Sequence, residues 1–131
     1  MKEVKLPFLE HIGAVIEDLD QEKAVLSIDI KDYHLQHLGY VHGGVISSLA
    51  DNTGWYAVIS NLPENKTSVT IEIKINYLKP AKEGKLKAIG RVLKLGKSVA
   101  FATVQLYSND DLVAYATGTY AILTMQQVEK L

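Results

Sequence analysis

No cysteine occurs in the 131 residues, which removes disulfides, thiolate catalysis and cysteine metal sites. Nor is there an excess of charge of one sign. The 14 basic and 15 acidic residues leave a formal net charge of −1, so nothing electrostatic favours nucleic acid or an anionic membrane as partner. No apolar run approaches the roughly 20 residues needed to span a bilayer. The leading residues, MKEVKLPFLEHIG, lack the apolar stretch of a signal peptide. Together these absences predict a soluble, cytoplasmic protein without nucleic-acid or membrane partners.

What is present is ordinary globular composition, 47% hydrophobic and 22% charged, enough for one domain over residues 1–131 with a core that needs no staples. A short helical lead-in is expected over Met1 to Phe8. Two strands follow, Ile12 to Leu19 and Lys23 to Ile30, the second with Leu26, Ile28 and Ile30 on one face. Lys31 to Val41 reads as loop, and Gly44 to about Ser60 as the one long helix. After the breaker cluster Asn61-Leu62-Pro63-Glu64-Asn65, the residues Val69, Ile71, Ile73, Ile75 and Tyr77 alternate with polar ones. Strands over Lys85 to Lys94, Ser98 to Ser108 and Leu112 to Leu123 complete the chain, with a hairpin at Asn109-Asp110-Asp111. Short connections favour antiparallel pairing. A helix apolar nearly all round beside one such sheet predicts an α+β fold with the sheet curled about the helix.

The segment LGYVHGGVISSLADNTGW, Leu38 to Trp55, carries the chemistry. At 100° per residue, Gly44, Ser47, Ser48, Asp51, Trp55 and Val58 share one helix face, opposite Ile46, Leu49, Ala50, Thr53, Tyr56 and Ala57. A carboxylate in a helix that otherwise reads as buried costs stability unless something uses it. Gly43 and Gly44 lie where the first helical amides have no intrahelical acceptor, and the helix dipole favours negative charge there. That suits the oxyanion of a carbonyl under attack. The competing reading is a plain Gly-Gly turn and a solvated aspartate.

Spacing adds a condition. Asp51 lies seven residues beyond Gly44, about 10.5 Å along a helix axis. A reacting carbonyl has to sit within about 3 Å of both its oxyanion donors and its attacking group. If both groups act in one reaction, they come from two copies of the chain, and the protein is a homodimer with two composite sites.

His42-Gly43-Gly44, six residues, then Asp51 resembles the HGG-x6-D pattern of PaaI-type hotdog acyl-CoA thioesterases. The likeness extends through Gly39-Tyr40-Val41, Ser68-Val69, Asn76-Tyr77-Leu78-Lys79-Pro80-Ala81 and Leu95-Gly96-Lys97-Ser98, covering about Gly39 to Leu123. The resemblance implies a hotdog fold, dimers that often pair into tetramers, and metal-free hydrolysis of an acyl-CoA to a free acid and coenzyme A. No cofactor is implied beyond the coenzyme A of the substrate. Asp51 would be nucleophile or general base, the Gly43 amide of the facing subunit would bind the thioester oxygen, and Ser68 would help hold the water. Gln36 stands where many members carry Asn, six residues before the His. It keeps the amide but adds a methylene, which leaves room for a non-catalytic acyl-CoA binder or sensor. A hotdog dehydratase would need a His paired with Glu or Asp in that family's arrangement, and none is found.

The remaining candidates have plain alternatives. His42 and Gly44 are placed with the substrate, although a His before a helix commonly caps it. Trp55, with Tyr56, either lines the pocket for an aromatic or medium-chain acyl group or packs the core and interface. Among Lys79, Lys82, Lys94 and Lys97, Lys97 with Ser98 stands inside a matched turn and could meet coenzyme A phosphates. His34 and His37 form an H-x2-H without further ligands at metal spacing, and His11 is isolated. Gly90 and Gly118, inside strands, mark bulges or close helix approach.

Overall fold

A computed structural model describes residues 4–131. The first three positions of the expected lead-in lie outside the described residues; the helix itself, α1, runs Pro7–His11. Strands β1 (Ala14–Leu19) and β2 (Ala24–Asp29) follow, then a 3-10 turn at Asp32–His34 and the long helix α2 (Gly43–Ile59). The chain continues through β3 (Lys66–Tyr77), β4 (Lys85–Leu95), β5 (Val99–Ser108) and β6 (Asp111–Thr124), and ends with a short helix α3 (Met125–Glu129) that periodicity did not signal. No described helix is long and apolar enough to cross a membrane.

All six strands form one antiparallel sheet in the order β1-β2-β4-β5-β6-β3, wrapped around α2. This is the expected α+β arrangement. Leu26 and Ile28 of β2, Leu86 and Ala88 of β4, Val104 and Leu106 of β5 and Ala114 and Ala116 of β6 pack against Ile46, Leu49, Ala50, Tyr56 and Ala57 of α2. The polar residues of α2 are accommodated by bonding back along the helix. Thr53 Oγ1 donates to the Leu49 carbonyl at 2.6 Å, and Asn52 Nδ2 to the Ser48 carbonyl at 2.7 Å. Val58 departs from the face assigned to it beside Asp51. It is fully buried in a second cluster with Ala100, Ala102, Tyr120 and Ile122, because the curled sheet reaches round to that side of the helix.

Two further departures shape the site. Strand β3 does not pair with β4, the next strand in the chain; it pairs with β6 and forms an edge of the sheet. The intervening segment spans the mouth of the curl. Its backbone is satisfied there by Leu78 N donating to Val113 O (2.8 Å), Val41 N to Ala81 O (2.8 Å) and Ile30 N to Gly84 O (2.8 Å). A bulge between Thr70 and Glu72 also breaks the alternation of β3. Beyond it Ile73 and Ile75 pack on the core; before it Val69 stays 44% exposed and Ser68 is buried, while Ile71 in the bulge is 58% exposed and Thr70, itself exposed, bonds Asp51.

Gly90 marks close helix approach, as expected: a Cβ there would lie 2.9 Å from the Thr53 carbonyl oxygen of α2. Gly90→Ala is therefore expected to destabilise the fold by about 1–3 kcal/mol through overpacking. A lowered denaturant midpoint at unchanged slope would report it.

Candidate active site

The site begins in the loop before α2. Leu35 and Val41 bridge antiparallel, Gln36 N donates to Tyr40 O at 2.7 Å, and Gly39, at φ 86°, turns the chain between them. The Gln36 side-chain oxygen accepts from Leu38 N at 2.6 Å and Tyr40 N at 3.3 Å. With its oxygen committed to the loop, Gln36 has only its amide N–H groups to offer a ligand. Behind it, His34 is buried with both ring nitrogens engaged, Nδ1 accepting from Lys31 N at 2.9 Å and Nε2 lying 2.6 Å from Ile12 O. His34 therefore braces the loop, and its carbonyl accepts His42 N at 2.8 Å.

His42 is the N-cap of α2. Its Nδ1 accepts the Gly44 N–H at 2.8 Å, which assigns the ring proton to Nε2. The amide of Gly44, a residue placed with the substrate on sequence grounds, is thus engaged by the cap. Val45 N and Ile46 N both turn to the His42 carbonyl, at 2.9 and 3.3 Å. That leaves the Gly43 N–H as the amide of the first turn that no described residue accepts. The Tyr77 hydroxyl donates to the Gly43 carbonyl at 3.1 Å, fixing the helix start to β3. Gln36, Tyr40, Gly43, Ile46 and Tyr77 wall a groove of about 280 Å³ over this amide.

Asp51 lies two helical turns on and does not line that groove. It is half-buried, and its Oδ1 accepts from Thr70 Oγ1 at 2.7 Å. Burial holds its carboxyl above the usual carboxylate range, partly offset by the Thr70 hydrogen bond. The Asp51 backbone carbonyl accepts the Tyr120 hydroxyl at 2.9 Å.

Sequence reasoning placed Ser68 beside the attacking water. In the structure the hydroxyl on Asp51 is that of Thr70, two residues on, while the Ser68 hydroxyl is buried without a partner among the described residues. Trp55 is braced by its indole N–H on the Ser68 carbonyl at 2.7 Å, stands edge-on to Tyr56 with centroids 5.1 Å apart, and packs against both core clusters. Lys97 and Ser98 border a separate depression of about 170 Å³ with Thr124 and Gln127, away from Gly43. Lys79 pairs with Asp111 at 3.5 Å on the surface.

The raised Asp51 carboxyl carries a stability consequence. Its charged form is disfavoured in the folded state, so the penalty is absent below the unfolded-state value and complete above the folded one. Asp51→Asn, which keeps an oxygen for Thr70, is expected to melt higher than the parent at neutral pH. That advantage should vanish as the pH falls below the ordinary carboxylate range, which paired thermal melts would show.

The chain is similar to several known proteins. The family profile described as Thioesterase superfamily matches residues 38–115. A Saccharolobus solfataricus protein with a provisional esterase name is 37% identical over 112 residues, 85% of this chain and 74% of that one. The medium/long-chain acyl-CoA thioesterase YigI of Salmonella typhimurium is 29% identical, over 89% of this chain and 86% of its own. Among solved structures, a mutant of the phenylacetic acid degradation protein PaaI from Thermus thermophilus superimposes with a TM-score of 0.82 at 28% identity, covering 88% of this chain and 98% of that one.

Proposed function

The chain belongs to the thioesterase superfamily and is a thioester hydrolase, and from that premise we propose that it hydrolyses acyl-CoA at composite sites in a homodimer. Each site takes Asp51 from one protomer and the Gly43 and Gln36 amides from its partner. The observation that carries this reading is the separation of the two halves. The free Gly43 N–H opens on a groove that Asp51 does not line.

The edge strand supports the pairing. Long exposed edges with apolar side chains invite a second chain, and β3 presents Val69 and Ile71 along twelve residues. Both halves of the site are tied to this strand, Asp51 through Thr70 and Gly43 through Tyr77. An antiparallel pairing of two β3 strands centred between Ile73 and Lys74 would set Thr70 of one copy opposite Tyr77 of the other. Asp51 of one protomer then approaches Gly43 of its partner.

The chemistry follows. The thioester carbonyl oxygen accepts from the Gly43 N–H, which strengthens as the oxygen becomes an oxyanion. As general base, Asp51 takes a proton from water while the water oxygen attacks the carbonyl carbon. Collapse then breaks the C–S bond, and the proton passes to the leaving thiolate. As nucleophile, the carboxylate attacks directly, the C–S bond breaks to leave an anhydride, and water hydrolyses it. A half-buried, weakly hydrated carboxylate suits either role. Tyr40, Ile46 and Tyr77 in the groove suit an aromatic or medium-chain acyl group, and Lys97 in its turn offers a cation to coenzyme A phosphates. The amide donors of Gln36 are open to the ligand, which supports a place for this residue in the site.

Thiol release from aromatic, short-, medium- and long-chain acyl-CoAs tests the proposal, with turnover strongest for the aromatic or medium-chain esters. Absence of turnover on the whole panel would overturn the substrate assignment. A monomer by light scattering at micromolar concentration would overturn the composite site.

A further inference from the structure

Tyr120 is the largest fully buried side chain of the described residues, and it lies in a seat made of glycines. A Cβ at Gly118, two residues earlier on β6, would come within 2.6 Å of the Tyr120 ring and hydroxyl. A Cβ at Gly54, on the helical turn that follows Asp51, would collide with the hydroxyl. Glycine weakens both helix and strand interiors. Two of them around one ring, on the two elements the ring joins, show that the fold gives up local preference to keep Tyr120 in place.

The hydroxyl reaches the Asp51 carbonyl at 2.9 Å. In the β3–β6 register Tyr120 lies opposite Thr70, whose hydroxyl holds the Asp51 carboxylate at 2.7 Å. One turn on, the Trp55 indole N–H holds the Ser68 carbonyl at 2.7 Å. The turn from Asp51 to Trp55 is thus pinned to two adjacent strands at its backbone, at its carboxylate and at the next turn. A mid-helix carbonyl already has an intrahelical donor four residues on, so the Tyr120 bond is additional, and what it adds is position.

We infer that Tyr120 is a positioning residue for the hydrolytic reaction, setting the depth and rotation of Asp51 against β3 and β6. The inference rests on the assignment of Asp51 to the chemistry. Burial and the charge of Asp51 raise the Tyr120 phenol well above its ordinary value, so it stays a donor and takes no part in proton transfer. Reacting groups displaced by about 1 Å can lose about 10²-fold in rate, and a hydrogen-bonded pin of this kind is what holds such a displacement off.

Tyr120→Phe keeps the ring and deletes the donor. Expected is a fall in kcat of roughly tenfold per folded site with KM within about twofold. The acid limb of kcat/KM should also move to lower pH, because a loosened Asp51 regains water. Gly54→Ala, which retains the hydroxyl but displaces it, should lose kcat in the same way; circular dichroism gives the folded fraction of each. Unchanged kcat per folded site and an unmoved limb in both variants would reduce Tyr120 to a packing residue and overturn the inference. Asp51→Asn separates the two levels. If it abolishes turnover while Tyr120→Phe matches wild type, only the positioning role fails; if Asp51→Asn is fully active, the underlying assignment fails.

Discussion

Asp51→Asn is expected to lose at least about 10²-fold in kcat, and the size of the loss distinguishes the two possible roles. Removing a general base typically costs about 10²–10⁴-fold, whereas removing a nucleophile that works as part of a unit reaches about 10⁴–10⁶-fold. Asparagine keeps the size of the side chain and an acceptor for the Thr70 hydroxyl, so the variant isolates the charge. KM should change far less than kcat, because in the proposed site the thioester oxygen is held by the Gly43 amide and not by Asp51. A single turnover in ¹⁸O-water, with enzyme in excess, supplies the independent readout. Label in the Asp51 carboxylate, found by mass spectrometry of the Asp51 peptide, identifies a nucleophile whose anhydride opens at the Asp51 carbonyl, whereas label confined to the product acid means that water attacked the acyl carbonyl. Wild-type turnover by Asp51→Asn would remove this residue from the reaction altogether.

Much of this site was legible in the sequence because it is written in one helix. The HGG–Asp spacing, the 3.6-residue period and the small residues around Asp51 place Gly43 and Asp51 two turns apart. The structure keeps them there, with the helix starting at Gly43. The capping role considered for His42 is likewise a local matter of a side chain and an amide two residues on. That the cap engages the Gly44 amide in particular needed the actual bond.

What could not be read lies between elements. The alternation of Val69 to Tyr77 reads as one unbroken face, yet the bulge at Ile71 turns Thr70 toward Asp51 and leaves Ile71 exposed. A bulge inserts one residue without changing composition, so period-2 reasoning passes over it, and Ser68 is named as the hydroxyl only through the family resemblance. The edge position of β3 was hidden for a related reason. Short connections favour pairing of consecutive strands, and only the closed curl of the sheet lets the link through Pro80 to Gly84 join two strands that do not pair. Tyr120 reads as one more strand aromatic; its partner is 69 residues away, and the glycines that seat it lie on two different elements.

Gly43→Pro tests the other half of the site and the pairing together. Proline at the first helical position deletes the N–H there and is well tolerated. His42, at φ −59° and ψ 135°, already has the extended geometry required before a proline. The fold should survive with little change in melting temperature, while kcat falls by about 10²–10³-fold for loss of one oxyanion donor. The decisive experiment mixes the chains. If Gly43→Pro and Asp51→Asn subunits are co-refolded in equal amounts, about half of the dimers formed are mixed. Twofold symmetry then gives each mixed dimer one site with both lesions and one with neither. Two nearly inactive proteins should therefore return about a quarter of wild-type activity. A site contained in a single protomer would return none, because every site would still carry its own lesion. Recovery near a quarter would place the reaction between two copies of the chain, where an Asp51 two turns from its own helix start can face a Gly43 amide.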